Sequence, residues 1–399
     1  MISICSETGR LRSVLMHRPG LEIERVLPSQ RERLLFDDIL FLPAARAEFD
    51  RLVAIIKKID AEVLLFEDLA TDGVMFNDEK MNTGFKDSED SPRSKAQLMD
   101  MITGNGTDPL PNLMFHRDLG ISVGSTFCFT AMSEQARVKE SELLRWLVLH
   151  HPVFDSTEVI YDAQAFGDLQ RGQTGRNGLE GGDVLCLRPD LLMVGDSIRS
   201  SRAQIDAFAK AVLEDRSSQI ESVVVVKMPR ARSYMHLDTI FTMISPSEAL
   251  VHKPLILDEG SDRCSATTLS LSSSNELTES TAVPVLKALR SLGLDLDYII
   301  CGGDNLNAQH REQWTDGANA FCLAPGIIVL YRRNQETAKS LEAAGYEILI
   351  DDDFLGLSAE EIESAIAARK KIVVLFSGNE LSRARGGPRC LTLPLKRDS

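Results

Sequence analysis

The sequence predicts an α/β fold of five strand-and-helix units set as blades around an axis, a five-bladed α/β-propeller. Three observations predict it. Five times a polar or glycine-bearing lead-in opens onto a strand, a turn and often a second strand. Amphipathic helices lie between most of these units. The recurrence is irregular, roughly 55 to 80 residues apart, which marks a supersecondary repeat with insertions rather than a strict sequence repeat. Units of that kind close around an axis and bring equivalent strand ends to the centre.

In chain order, Leu11 to His17 reads as a first strand and Arg18-Pro19-Gly20 as its turn. Ala44 to Ile59 has helical spacing, with Phe49, Leu52, Val53, Ile55 and Ile56 on one side. Glu62 to Phe66 is a strand. From Thr71 to Asp108 the chain turns polar and reads as an insertion, part helical, within a single domain spanning residues 1–399. The first repeated unit then opens at Phe115-His116-Arg117-Asp118, with strands at 121–123 and 126–130. The second opens at Glu180-Gly181-Gly182-Asp183, with strands at 184–187 and 191–194. The third opens at His236-Leu237-Asp238, with strands at 239–244 and 249–252. The fourth opens at Asp316-Gly317-Ala318-Asn319, with strands at 320–323 and 327–331. The fifth is Gly386-Gly387-Pro388-Arg389-Cys390, running into a strand at Leu391-Thr392-Leu393. Helices are expected at 133–150, 201–213, 278–292 and 335–344. The valine-rich Ser222 to Lys227 reads as a buried strand.

The formal charge of -15 argues against a broad basic surface for nucleic acid. Seven cysteines, an odd number with no CxxC spacing, suit reduced thiols and a cytoplasmic setting. No apolar run reaches the roughly 20 residues of a membrane span, and no basic-then-apolar leader opens the chain.

A radial arrangement would bring Asp118, Glu180, His236, Asp238 and Cys390 together although they span more than half the chain. These are all metal-ligand types, but only one thiol belongs to the set and no HxxxH pattern accompanies it, so no metal is expected. The set suits nucleophilic catalysis on a cationic group. Carboxylates pair with the edges of a planar guanidinium, a thiolate attacks its carbon, and His236 serves as acid and base. The reacting group is cationic, so carboxylates take the place that an oxyanion hole holds in ester chemistry. The arginines around Cys390 are expected to lower its thiol pKa. Asp183 and Asp316 are expected to support turns. His17, His150, His151, His252 and His310 are left structural, and Gly181-Gly182 are given to the turn.

Taken together, Asn112-Leu113-Met114-Phe115-His116-Arg117-Asp118, Glu180-Gly181-Gly182-Asp183, Met235-His236-Leu237-Asp238-Thr239, Arg311-Glu312-Gln313-Trp314 with Asp316-Gly317, and Gly386 to Cys390 resemble arginine deiminase, of the guanidino-group-modifying α/β-propeller (pentein) superfamily. The resemblance covers nearly the whole chain. It implies hydrolysis of L-arginine to L-citrulline and ammonia with no metal or cofactor. Cys390 would form an amidino-thioester type intermediate and His236 would be general acid and base. Glu180 would orient His236, while Asp118 and Asp238 would grip the guanidinium. Asn112, Arg137 and Arg199 would hold the α-carboxylate end, with Phe115 among the substrate contacts and Arg385 helping to close the site. A homo-oligomer, dimer or tetramer, is admitted; the sequence does not decide it.

Three departures stand out. His116 replaces the family's usual Thr and either changes the pH response or faces away. The insertion at 71–108 is shorter than the family's helical one. Ala384 stands where glycine is more familiar, which stiffens the closing loop. The rivals are an arginine dihydrolase or an amidinotransferase on the same scaffold, and a catalytically silent propeller that only binds.

Overall fold

The computed structural model of the protein describes residues 2–76, 92, 94–169, 177–258, 260 and 262–399. Among the described residues the strands form five sheets, and one three-strand unit recurs in all of them. A central strand pairs antiparallel on one side and parallel on the other. Leu11–Met16 lies between Leu393–Arg397 and Glu62–Leu65. Thr126–Phe129 lies between Gly120–Val123 and Glu158–Asp162. Leu191–Asp196 lies between Val184–Arg188 and Ser222–Lys227. Glu248–Val251 lies between Phe241–Ser245 and Asp297–Ile300. Ile327–Tyr331 lies between Phe321–Ala324 and Ile372–Phe376. A parallel return needs a crossover, and helices Leu42–Lys58, Val138–His150, Arg202–Glu214 and Val285–Ser291 occupy the crossovers of the first four units. The last strand sits beside the first, so the two chain ends share one sheet.

The helices follow from their sequences. Leu42–Lys58 starts with Pro43 in its first turn, where the missing N–H costs nothing. It buries Leu42, Ala45, Phe49, Leu52, Ile55 and Ile56, and ends on Lys57 and Lys58, which suit the negative end of the helix dipole. Ser201 caps Arg202–Glu214 by accepting from the Gln204 amide.

The expected helix over 278–292 is half strand. Leu277–Glu279 and Val283–Pro284 add to the edge strand Ser265–Leu271, and the helix begins only at Val285. Pro284 has no N–H for a helical ladder and disfavours a helical residue before it, which sets that boundary. The expected strand at Leu391 begins at Leu393. The Leu391 amide donates to the Gly387 carbonyl, and the Thr392 amide and hydroxyl both donate to the Arg389 carbonyl, so 387–392 is a turn. Strands Glu158–Asp162, Ser265–Leu271, Asp297–Ile300, Glu347–Ile350 and Ile372–Phe376 were not read from the sequence. Part of the 71–108 segment, read above as an insertion, lies outside the described residues. Its described helix Lys95–Thr103 buries Leu98 and Ile102 against Phe66 and Trp146 in a common core. No helix among the described residues is long and apolar enough to cross a membrane.

The polar lead-ins fold as tight 3-10 turns at His116–Leu119, Gly181–Asp183 and Leu237–Thr239, each directly ahead of or at the start of the first strand of its unit. The second of these turns packs on both others. This is how residues distant in sequence come to share one site.

Candidate active site

Cys390 is buried, with its Sγ 3.9 Å from Oδ2 of Asp238. Its backbone is held from two sides. The Cys390 amide donates to Asn319 Oδ1, and the Arg117 amide donates to the Cys390 carbonyl. Asn319 also donates from Nδ2 to the Asp238 carbonyl, so one amide side chain locks thiol and carboxylate to each other. The thiol pKa lies well above its ordinary value, because burial and then Asp238, Asp118 and Asp316 all disfavour a thiolate. This corrects the expectation that nearby arginines lower it. The arginine beside it in sequence, Arg389, is paired with Glu7 and Asp238, and carboxylates dominate at the sulfur.

His236 Nε2 lies 2.8 Å from Glu180 Oε2, and Nδ1 lies 3.6 Å from Asp118 Oδ1. Burial opposes a charge on the ring, but Asp118, Glu180 and Asp183 outweigh it and raise the pKa to about 9. Burial likewise opposes ionised Glu180, but the His236 hydrogen bond and Arg199 hold its pKa at about 2. The pair is therefore imidazolium and carboxylate near neutrality. Glu180 is fixed in turn by the Ser133 amide, which donates to Oε1. Donor atoms of Asp118, Glu180 and His236 lie within 4.8 Å of one another, close enough to hold a cation. A cation there would have to displace the proton that the surrounding carboxylates favour on His236, and Arg137 already pairs with Asp118.

Asp183 collects the Ser197 and Ser200 hydroxyls and the Leu237 amide. It fixes the backbone next to His236, and burial raises its pKa to about 7. Gly181 and Gly182 do more than turn the chain. A Cβ on Gly181 would lie 2.1 Å from the Arg117 carbonyl oxygen, and one on Gly182 would lie 2.8 Å from Asp118 Oδ1 and the His236 ring. Gly182→Ala is expected to lower kcat/KM by about a hundredfold while leaving a folded protein, because a 1 Å displacement of reacting groups costs that much. Circular dichroism alongside initial rates checks it.

The arginines divide into two groups. Arg137 is committed: Nη1 donates to Asp118 Oδ2 at 2.7 Å, Nε to Glu140 at 2.8 Å and Nη2 to the Asn112 carbonyl at 3.3 Å. Arg199 and Arg385 are buried yet keep Nε and Nη1 without partners. Arg199 Nη2 donates to Met235 Sδ at 3.6 Å. Arg385 sits in a left-handed backbone conformation (φ 66°), with its guanidinium 3.5 Å over the Trp314 ring and Nη2 donating to the Ser233 carbonyl. Asn112 donates to the Leu34 carbonyl. The Phe115 ring fills the space a Cβ on Gly386 would need.

His116 faces away from the site. Its Nδ1 donates to the Leu113 carbonyl and its ring stacks on His17, which has its own partners in Glu22 and Glu67. Burial and the His17 charge lower the His116 pKa to about 3. Glu7, Asn319, Glu140 and Trp314 were not singled out from the sequence. Asn319 and Trp314 lie within motifs that were, and Glu7 lies in Ser6-Glu7-Thr8-Gly9, a stretch that shares in the family resemblance; nothing local marks Glu140.

A buried thiol, an imidazolium–carboxylate pair and two further aspartates thus lie in one mixed α/β scaffold, the fold of the pentein enzymes. AgrE superposes with a TM-score of 0.55 at 15% identity, over 97% of this chain and 40% of AgrE. The N-terminal domain of ArgZ, an arginine dihydrolase from the ornithine-ammonia cycle in cyanobacteria, superposes with a TM-score of 0.51 at 16% identity, over 96% of this chain and 97% of that domain. Sequence carries the comparison further. The arginine deiminase of Listeria welshimeri is 31% identical over 447 aligned positions, covering 100% of this chain and 99% of the relative. That of Streptococcus pyogenes is 32% identical over 443, covering 100% and 98%. The arginine deiminase family profile matches residues 32–97 and 77–397. The chain belongs to the arginine deiminase family.

Proposed function

We propose that this protein hydrolyses L-arginine to L-citrulline and ammonia, with Cys390 as nucleophile. The observation that carries the reading is a pair of orphaned acceptors. Asp118 Oδ1 and Asp238 Oδ1 are buried carboxylate oxygens without a hydrogen-bond partner, and both aspartates act on the Cys390 thiol. Buried charged acceptors are expensive to leave unpaired. A planar cation with several N–H donors satisfies both at once, and its arrival opposes the carboxylates that disfavour the thiolate. Substrate binding therefore releases the thiol proton to solvent.

The thiolate then attacks the guanidinium carbon. His236 donates its proton to the departing nitrogen, ammonia leaves, and an S-alkylthiouronium remains on Cys390. Neutral His236 next takes a proton from water; the hydroxide adds to the same carbon, and the C–S bond breaks to release citrulline and restore the thiolate. The hydroxyl proton of the adduct passes to solvent, where the ammonia already released takes it up as ammonium. Glu180 holds the imidazole ring throughout.

Arg199, with two buried free N–H donors, suits the α-carboxylate of L-arginine; Arg137 could reach it only by leaving Asp118. Agmatine, which lacks that carboxylate, is expected to show a kcat/KM at least about a hundredfold lower, as for a buried charged hydrogen bond removed. Equal turnover of the two would remove the assignment. Five equivalent sheets joined end to first strand support a closed five-bladed arrangement, in one domain with the 71–108 segment as its insertion. Seven free cysteines support a reducing compartment such as the cytoplasm.

Metal-free incubation with L-arginine, with all products quantified, tests the reading. Citrulline and ammonia in equal amounts support it. Ornithine with twice as much ammonia would replace it with a dihydrolase, and no product would point to a silent binding module.

A further inference from the structure

Arg389, next to the nucleophile, is among the largest fully buried side chains in the described protein. Its guanidinium and the Cys390 sulfur meet at one carboxylate oxygen, Asp238 Oδ2. Nε and Nη2 form a two-pronged pair with Glu7 at 3.0 Å each, Nη2 also donates to the Val184 carbonyl at 3.0 Å, and Nη1 donates to Asp238 Oδ2 at 2.7 Å. A purely structural ion pair would be expected to direct the two-pronged geometry at Asp238 and satisfy both of its oxygens. Here that geometry goes to Glu7. Asp238 receives one bond from Arg389, and its other oxygen is left buried and unpartnered. The opposite carboxylate is built alike: Asp118 Oδ2 is held by Arg137, which is anchored by Glu140, and Asp118 Oδ1 accepts no hydrogen bond, with His236 Nδ1 3.6 Å away.

We propose that Glu7 and Arg389 are positioning residues for the reaction: the buried chain Glu7–Arg389–Asp238 pins one oxygen of Asp238, presents the other to the substrate, and offsets the Asp238 charge beside the Cys390 sulfur. The inference rests on the deiminase reading for what Asp238 grips, but the charge balance at the sulfur can be tested without substrate. The charges facing the sulfur are Asp238, Asp118 and Asp316, with Arg385 acting on it from the closing loop. Those facing the Arg389 guanidinium are Glu7 and Asp238, with Arg117 and Arg397 nearby.

The test is the pH profile of Cys390 alkylation by iodoacetamide, followed on the Cys390 peptide by mass spectrometry with no substrate present. Arg389→Met leaves Asp238 unbalanced and is expected to move the profile to higher pH by about one unit, about tenfold slower alkylation at a fixed pH below the midpoint. Arg389→Lys keeps the charge and is expected to stay near the native profile. Loosened packing alone would hydrate the sulfur and move the profile the other way, so a downward shift or none in Arg389→Met overturns the proposal. Should that variant not fold, Glu7→Gln with Arg389→Met removes the bare Glu7 charge and is expected to give the same upward shift; no upward shift there is equally decisive. A protein that turns over no L-arginine would sink the deiminase reading while leaving these profiles to decide this one.

Discussion

Cys390→Ala yields a folded protein that binds L-arginine and forms no citrulline above background, a loss of at least about four orders of magnitude in kcat. The size follows from the site. The remaining groups can hold a guanidinium, but among the side chains packed around the carbon it would present, only the thiol is a nucleophile. Without it, water must attack a resonance-stabilised cation directly. Folding should be spared, because Cys390 is held mainly through its backbone, by Asn319 and Arg117, and those bonds do not need the sulfur. Calorimetric titration of L-arginine into the variant, beside citrulline assays, checks both halves. A variant making citrulline at the native rate would overturn the mechanism.

His236→Ala lowers kcat by about three orders of magnitude, at the upper part of the range for one general acid and base. It also costs stability, about 3 kcal/mol, because buried Glu180 loses its nearest counter-ion and hydrogen-bond partner. The pH dependence carries a sign that can be checked. The His236 pKa is raised from 6.5 to about 9 in the fold. Its ion pair therefore contributes stability that is fully present below about 6.5 and is lost as pH rises through about 9. The same imidazolium is the acid that protonates the leaving nitrogen, so native kcat/KM, which reports the free protein, should fall above about pH 9, and that limb should be missing in His236→Ala. Thermal melts and rate profiles from pH 6 to 10 test this. A native profile flat through 9 would reject His236 as the acid.

Much of the site was legible because its residues sit at a repeated place in the chain, the polar lead-in to a strand. Asp118, Glu180, His236, Asp238 and Cys390 each announce themselves there. Repeats also exposed the paired strands. The third, parallel strand was missed in three units: Glu158–Asp162 and Asp297–Ile300 are short and partly exposed, and Ile372–Phe376 follows several intervening elements. What sequence could not supply was pairing. The arginines near Cys390 looked like one cationic cluster that would favour a thiolate. In the fold Arg389 turns to Glu7, 382 residues away in sequence, Arg385 lies on Trp314, and Arg137 binds Asp118 rather than standing free. Each choice depends on which loop packs against which, and no local pattern encodes that. His116 failed as a signal for the same reason: it is adjacent in sequence to the site but packs toward His17.

The most direct measurement is an acid quench of the protein during turnover of uniformly labelled L-arginine, with the label then located by peptide mass spectrometry. Only ammonia leaves in the first half of the reaction, so the account predicts the arginine skeleton attached through its guanidino carbon to Cys390, together with equal citrulline and ammonia in solution. Citrulline formed at full rate with no label on Cys390 at any quench time, and with the Cys390→Ala protein still active, would contradict it.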